Sequence, residues 1–185
     1  WPISQWATRA KININGFGYF QVGVYDVNPK YLGVDDQVLP VFFSHSTGAL
    51  IPVEIGWLPQ FANGALPGSY KVGAWYDTSS ADDVSRDING DPFELTGLPA
   101  QQHRGRYGAY LTFQQQVSEN LSLFLNAVFA DKRTSVTDHQ VAAGLVYKGL
   151  FDSRPEDDIG LAVGTTHVNS RAFAPNNPGG SEYAA

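Results

Sequence analysis

Hydrolysis of a glycosidic bond requires two carboxylates flanking it, about 5–10 Å apart. Glu54 and Asp77 are the pair in this 185-residue chain that invites the comparison. Sequence supplies no such distance, and no companion motif supports the reaction: there is no G-x-S-x-G, no H-E-x-x-H and no phosphate-cradling glycine loop. His45, His103, His139 and His167 show no metal-ligand spacing and read as solvated polar positions. Asp87, Asn89 and Asp91, with Asp82, Asp83 and Glu94 nearby, place oxygens at alternate positions that could hold calcium, but without the twelve-residue order of an EF-hand. Acidic residues at a solvated turn account for that run equally well. The expectation is no enzyme, no catalytic residue, no metal and no cofactor, with calcium at Asp87, Asn89 and Asp91 as a weak candidate.

Non-covalent recognition has more to work with. By period-two parity Arg9, Lys11, Tyr25, Glu54, Lys71, Trp75, Asp77, Arg106 and Tyr110 share the polar face and are the expected channel-lining, sugar-contacting residues, with Glu54 and Arg9 foremost because each sits in an otherwise small or apolar stretch. Guanidinium and carboxylate groups bind sugar hydroxyls through several hydrogen bonds, and aromatic faces stack on pyranose rings. The competing reading is that these charges pair with one another and only line a channel.

The elements that must position these residues are strands. Period-two alternation runs through 6–14, 19–25, 51–57, 70–76, 106–114, 121–129, 140–148 and 159–166, which makes about eight strands of the length that crosses a bilayer at a tilt. One face of each is apolar, and the other carries Gly, Ala, Gln, Thr, Asn and a few charges. A soluble sandwich would show a face dense in Lys, Glu and Asp. Charged residues are only 16% of the chain, against roughly 25% in an ordinary soluble domain. Aromatics near strand ends on the apolar face (Trp6, Tyr19, Phe20, Trp57, Tyr70, Tyr76, Tyr107, Phe129 and Tyr147) resemble the girdles at membrane interfaces. Connections alternate in length: 15–18 and 118–120 are tight, whereas 26–48 and 77–105 are long. Residues 39–43 (L-P-V-F-F) form an apolar patch inside one long loop. This predicts an all-β, transmembrane, antiparallel up-and-down barrel, with residues 1–185 belonging to one barrel and no separate domains.

Composition narrows the partners. Twelve basic and eighteen acidic residues leave a net charge of -6, which gives no reason to expect nucleic acid. With no cysteine there is no disulfide framework and no thiolate site. The chain opens at Trp1 and has no Met, so the expectation is a processed chain or a piece of a longer polypeptide.

Several blocks carry a family resemblance: 28–32 (N-P-K-Y-L), 52–59 (P-V-E-I-G-W-L-P), 66–79 (L-P-G-S-Y-K-V-G-A-W-Y-D-T-S), 105–116 (G-R-Y-G-A-Y-L-T-F-Q-Q-Q), 129–135 (F-A-D-K-R-T-S), and 140–155 through Val168. In this order they resemble the OprB-type carbohydrate-selective porins. The resemblance implies a sixteen-stranded barrel in the outer membrane of a Gram-negative bacterium, passing mono- and oligosaccharides such as glucose by diffusion, surrounded by lipid and assembled as a homotrimer. About eight strands is half that number, so a middle portion of such a porin is expected. The alternatives are a small, complete eight-stranded structural barrel and a soluble all-β sugar-binding module.

Overall fold

The computed structural model describes residues 6–29, 45–173 and 183–184. The apolar patch at 39–43 lies outside them. Among the described residues ten strands run in chain order: β1 (Ala7–Ile14), β2 (Gly18–Val27), β3 (Gly48–Trp57), β4 (Gln60–Phe61), β5 (Leu66–Asp87), β6 (Ala100–Gln116), β7 (Leu121–Ala130), β8 (Thr137–Lys148), β9 (Asp158–Val168) and β10 (Tyr183–Ala184). A single turn of helix, α1 (Phe93–Thr96), caps the β5–β6 hairpin. No helix among the described residues is long and apolar enough to cross a membrane, so any crossing is made by strands.

All pairings are antiparallel between neighbours, in the order β1-β2-β3-β5-β6-β7-β8-β9-β10, with β4 paired to β5 beside the turn. This is the expected up-and-down meander. Among the described residues β1 pairs only with β2, so they form an open wall and not a closed eight-stranded barrel. Connections sort by side. At one end lie 15–17, 58–65, 117–120 and 149–157; at the other lie 88–99 and 131–136, together with the end of β2, the start of β3 and the end of β9. At the first end the tightest turn depends on Gly16, whose φ of 73° few side chains tolerate.

The wall is inverted relative to a soluble protein. Among the described residues only Tyr19 and Ala127 are buried hydrophobic side chains, while Asp26, Asn28, Asp77, Ser79, Asp83, Asp87, Asp131, Asp138 and Asn169 are buried polar groups. Every one of those polar groups sits at the long-loop end. The apolar face is bare: Val72, Leu161 and Val163 are 54%, 71% and 74% exposed. Such a face must be covered, and lipid covers it without requiring any partner. Two aromatic bands border it. Toward the turns, Trp57 packs on Tyr70 at 5.2 Å and Tyr70 stacks on Phe113 at 4.7 Å, with Phe17 and Phe61 flanking Trp57. Toward the long loops, Tyr76 pairs with Tyr107, and Phe129 lies one strand further along. Tyr70 and Tyr76 lie on the same strand roughly 20 Å apart, comparable to the ~25 Å apolar band of outer-membrane barrels.

Two expectations need correction. Residues 77–105 are not one long loop. Strand β5 continues to Asp87 and β6 begins at Ala100, with register breaks between Asp77 and Ser80 and between Asp82 and Asp87. Alternation stops being legible there because the hairpin rises beyond the lipid band, where neither face needs to be apolar. Tyr19 does not belong to the girdle. It shares the parity of Gln21 and Gly23 and is buried on the polar face, while Phe20, near the turn end of β2, faces outward opposite Ile12 and Ile55.

The lipid-face assignment predicts an asymmetric response to charge. Arginine at Val72, in the middle of the bare belt, is expected to cost about 2–4 kcal/mol of assembly free energy. Arginine at Asn126, on the opposite face of β7, is expected to cost little. The fraction of full-length protein that migrates as the folded, heat-modifiable form on gels reads the difference; equal loss for both substitutions would contradict the assignment.

Candidate functional site

Period two puts residues 54, 73, 75 and 110 on the polar face, and register brings them together: Glu54 opposes Gln21 and Gly73, while Tyr110 opposes Gly73. Glu54 is the hub. Its Oε1 accepts hydrogen bonds from the Tyr19 hydroxyl at 2.6 Å and Gln21 Nε2 at 3.0 Å, and its Oε2 accepts one from the Tyr110 hydroxyl. The Trp75 ring stacks on Tyr110 at 6.3 Å, and Lys11 Nζ sits 3.8 Å above the centre of the Tyr19 ring. Beside Glu54 a recess of about 20 Å³ is lined by Arg9, Gln21, Tyr25, Pro52 and Tyr110. Six of the nine expected channel-lining residues thus converge: Arg9, Lys11, Tyr25, Glu54, Trp75 and Tyr110.

The rings lie flat because glycines on adjacent strands make room for them. A methyl group at Gly56 would collide with the Tyr19 ring, at Gly73 with Tyr110, and at Gly108 with Trp75. Tyr19 lies buried with Lys11 over its ring, whereas Trp75 and Tyr110 are only half-buried, so these two are the rings available for stacking.

The remaining three lie apart. Asp77 is buried at the long-loop end, where it accepts hydrogen bonds from the Ser79 amide at 2.9 Å and the Ser79 hydroxyl at 2.7 Å and forms an ion pair with Arg106. Here the expectation of charges pairing across the wall describes the geometry. Lys71 stands opposite Gly56 and Thr112, nearer the turns. Glu54 and Asp77 are each engaged by their own partners, an arrangement unlike an acid–nucleophile pair.

Sequence reasoning missed Tyr19 and Gln21, although their parity marked them, and it singled out Asp83, Asp87 and His103 at the rim without the contacts that join them. There Asp83 is 2% exposed. Its carboxylate accepts hydrogen bonds from the Ser85 and Arg86 amides at 2.9 Å each, contacts His103 Nε2 at 2.8 Å and pairs with Arg171 at 3.0 Å. Burial alone would raise its pKa, but His103, the two amides and Arg171 together hold the carboxyl well below the usual carboxylate range. Asp131 is likewise depressed: burial opposes, and Arg133 prevails through side-chain and backbone hydrogen bonds. Asn169 donates to the carbonyls of Lys132 and Ser135, at 2.6 and 2.8 Å. At the hairpin tip Asp87 accepts from the amides of Asn89 and Asp91 and from the Thr96 hydroxyl, so both its oxygens are used within its own hairpin.

A wall that is apolar outside and hydrogen-bonding inside, with loops sorted by end, is what a porin requires, and residues 1–177 match the family "Carbohydrate-selective porin, OprB family". The chain belongs to that family. This places it among the outer-membrane proteins of Gram-negative bacteria. Porin B of Pseudomonas aeruginosa is 43% identical to this porin chain over 176 residues, covering 91% of it. The high-pH structure of Pseudomonas putida OprB superposes with a TM-score of 0.87 at 43% identity over 93% of the chain. The low-pH structure of the same protein superposes with 0.57 over 91%. The chain spans 38% of the length of Porin B and 42% of the solved chain. Family membership excludes the soluble sugar-binding module.

Proposed function

We propose that the polypeptide containing this chain conducts carbohydrates passively across the outer membrane, and that Glu54 with Tyr19, Gln21, Tyr110 and Trp75 forms a sugar-contacting part of the channel lining. The observation carrying the reading is a carboxylate held by two phenols and an amide beside an aromatic ring laid flat on glycine, all on the polar face of a lipid-exposed wall. Glu54 offers acceptors to sugar hydroxyls, Arg9 offers donors, and Trp75 offers a stacking face. Passage breaks no bond, so the channel is not an enzyme. Assembly with two further copies as a homotrimer, embedded in outer-membrane lipid, belongs to the same proposal. The self-capped Asp87 hairpin supports a fold independent of calcium.

The test is the conductance of the full-length protein in planar bilayers with glucose titrated in. Concentration-dependent block supports a sugar channel; unblocked ion conductance would reduce it to a general porin. A sharper form uses the glycine seat. Gly73→Ala is expected to push the Tyr110 ring off the wall and break its charged hydrogen bond to Glu54, worth about 1.5–3 kcal/mol. Glucose block should weaken about tenfold, with assembly retained. Unchanged block would show that Tyr110 does not contribute through Glu54.

A further inference from the structure

Consecutive residues of a regular strand point to opposite faces, yet Asp138 and His139 meet the same partner. The reason is a bulge. Register steps from Thr137 opposite Val168 directly to His139 opposite His167, which leaves Asp138 as the extra residue. A bulge of this kind re-aims a side chain, and here it brings the Asp138 carboxylate around to the two imidazoles. Asp138 Oδ1 lies 2.5 Å from His167 Nδ1 and 3.1 Å from His139 Nδ1. The imidazole rings stack at 4.4 Å, inclined by 13°, and Phe129 stacks on the outer side of His139 at 6.1 Å. One ligand atom from each of the three residues lies within 4.8 Å of the others.

We propose that Asp138, His139 and His167 form a binding site for a first-row divalent transition metal, with zinc as the reference ion. Two imidazole nitrogens and a carboxylate oxygen suit Zn²⁺, Ni²⁺ or Cu²⁺, and leave remaining positions to water. Oxygen-preferring Ca²⁺ and Mg²⁺ gain nothing from the imidazoles. On binding, each imidazole Nδ1 presents its lone pair to the ion and any proton it held passes to solvent. Lys132 Nζ stands 3.3 Å from Asp138 Oδ2 on a largely exposed side chain. It can swing into water when the ion enters. The site would tie the start of β8 to the end of β9, immediately beneath the 131–136 turn.

The experiment is titration of Zn²⁺ into chelator-stripped full-length protein in detergent, followed by calorimetry, with Co²⁺ absorption as a second reading. One saturable Zn²⁺ per chain and nitrogen-ligated Co²⁺ bands are expected. His167→Asn and His139→Asn should each weaken binding by more than the roughly 10–100-fold typical of lost outer-shell contacts, whereas His45→Asn should leave it unchanged. Absence of saturable Zn²⁺ uptake, or binding indifferent to both cluster substitutions, overturns the site and leaves a hydrogen-bonded cluster only. If either variant fails to assemble, Co²⁺ on the wild-type protein decides, because bands lacking histidine nitrogen overturn it equally. Ca²⁺ competing as well as Ni²⁺ would overturn the assigned metal class. None of these readouts depends on sugar passage.

Discussion

Asp83→Ala is expected to destabilise the long-loop rim by about 1–3 kcal/mol, the cost of leaving buried donors without their acceptor. Asp83 joins three elements: its own strand through the Ser85 and Arg86 amides, β6 through His103, and the 170–173 turn through Arg171. The Val84 amide adds a bond to the Arg133 carbonyl in the neighbouring turn. Removing the carboxylate leaves Arg171, His103 and two amides without their acceptor, and no apolar core lies nearby to compensate. The measurement is the temperature at which the full-length protein loses its folded gel mobility; an unchanged midpoint would show that the rim is held elsewhere. The sign of the pH dependence follows from the direction of the shift. A carboxyl depressed on folding stabilises fully above its unfolded-state pKa and loses that contribution as pH falls through the folded value. With the ordinary aspartate value at 3.8, stability from Asp83 should be flat through neutral and mildly acidic pH and decline only below about pH 4. Asp83→Asn should make the acid limb shallower without abolishing it, because Asp131 at the same rim is depressed as well.

Glu54→Ala is expected to weaken glucose block by between about tenfold and a hundredfold, from the 1.5–3 kcal/mol of a charged hydrogen bond. The substitution removes the acceptor shared by Tyr19, Gln21 and Tyr110, so the rings lose their orientation along with the charge. Glu54→Gln keeps an acceptor and should lie between wild type and alanine. Open-channel conductance should change little, because the lumen gains volume without losing its wall. Block identical to wild type in the alanine variant would remove Glu54 from the sugar path, whatever the channel's general conductance.

Much of this architecture was legible one residue at a time. Val72, Gly73, Ala74, Trp75 and Tyr76 alternate so regularly that β5 and its two faces follow from period two alone, and Glu54 and Tyr110 acquire their face in the same way. What failed has a common cause. Alternation is a signal only where one side meets lipid and the other meets water, so it fades beyond Asp77, where the β5–β6 hairpin stands in solvent on both sides. Tyr19 was misassigned because aromatic type was weighed above parity. Asp138 could not be placed at all, since a bulge reverses the face of one residue without marking the sequence.

The amino-acid sequence by itself determined the strands, their faces, the sorting of loops by end and the family, because each depends on local period, length or ordered blocks of residues. Only the tertiary structure decided which polar residues touch: Glu54 with Tyr19 and Tyr110, Asp83 with Arg171, and Asp138 with His167. Those contacts join residues 35 and 56, 88, and 29 positions apart. They are set by strand register, by glycine seats on the neighbouring strand and by a single bulge. Each of these is a property of paired strands, which no strand carries alone.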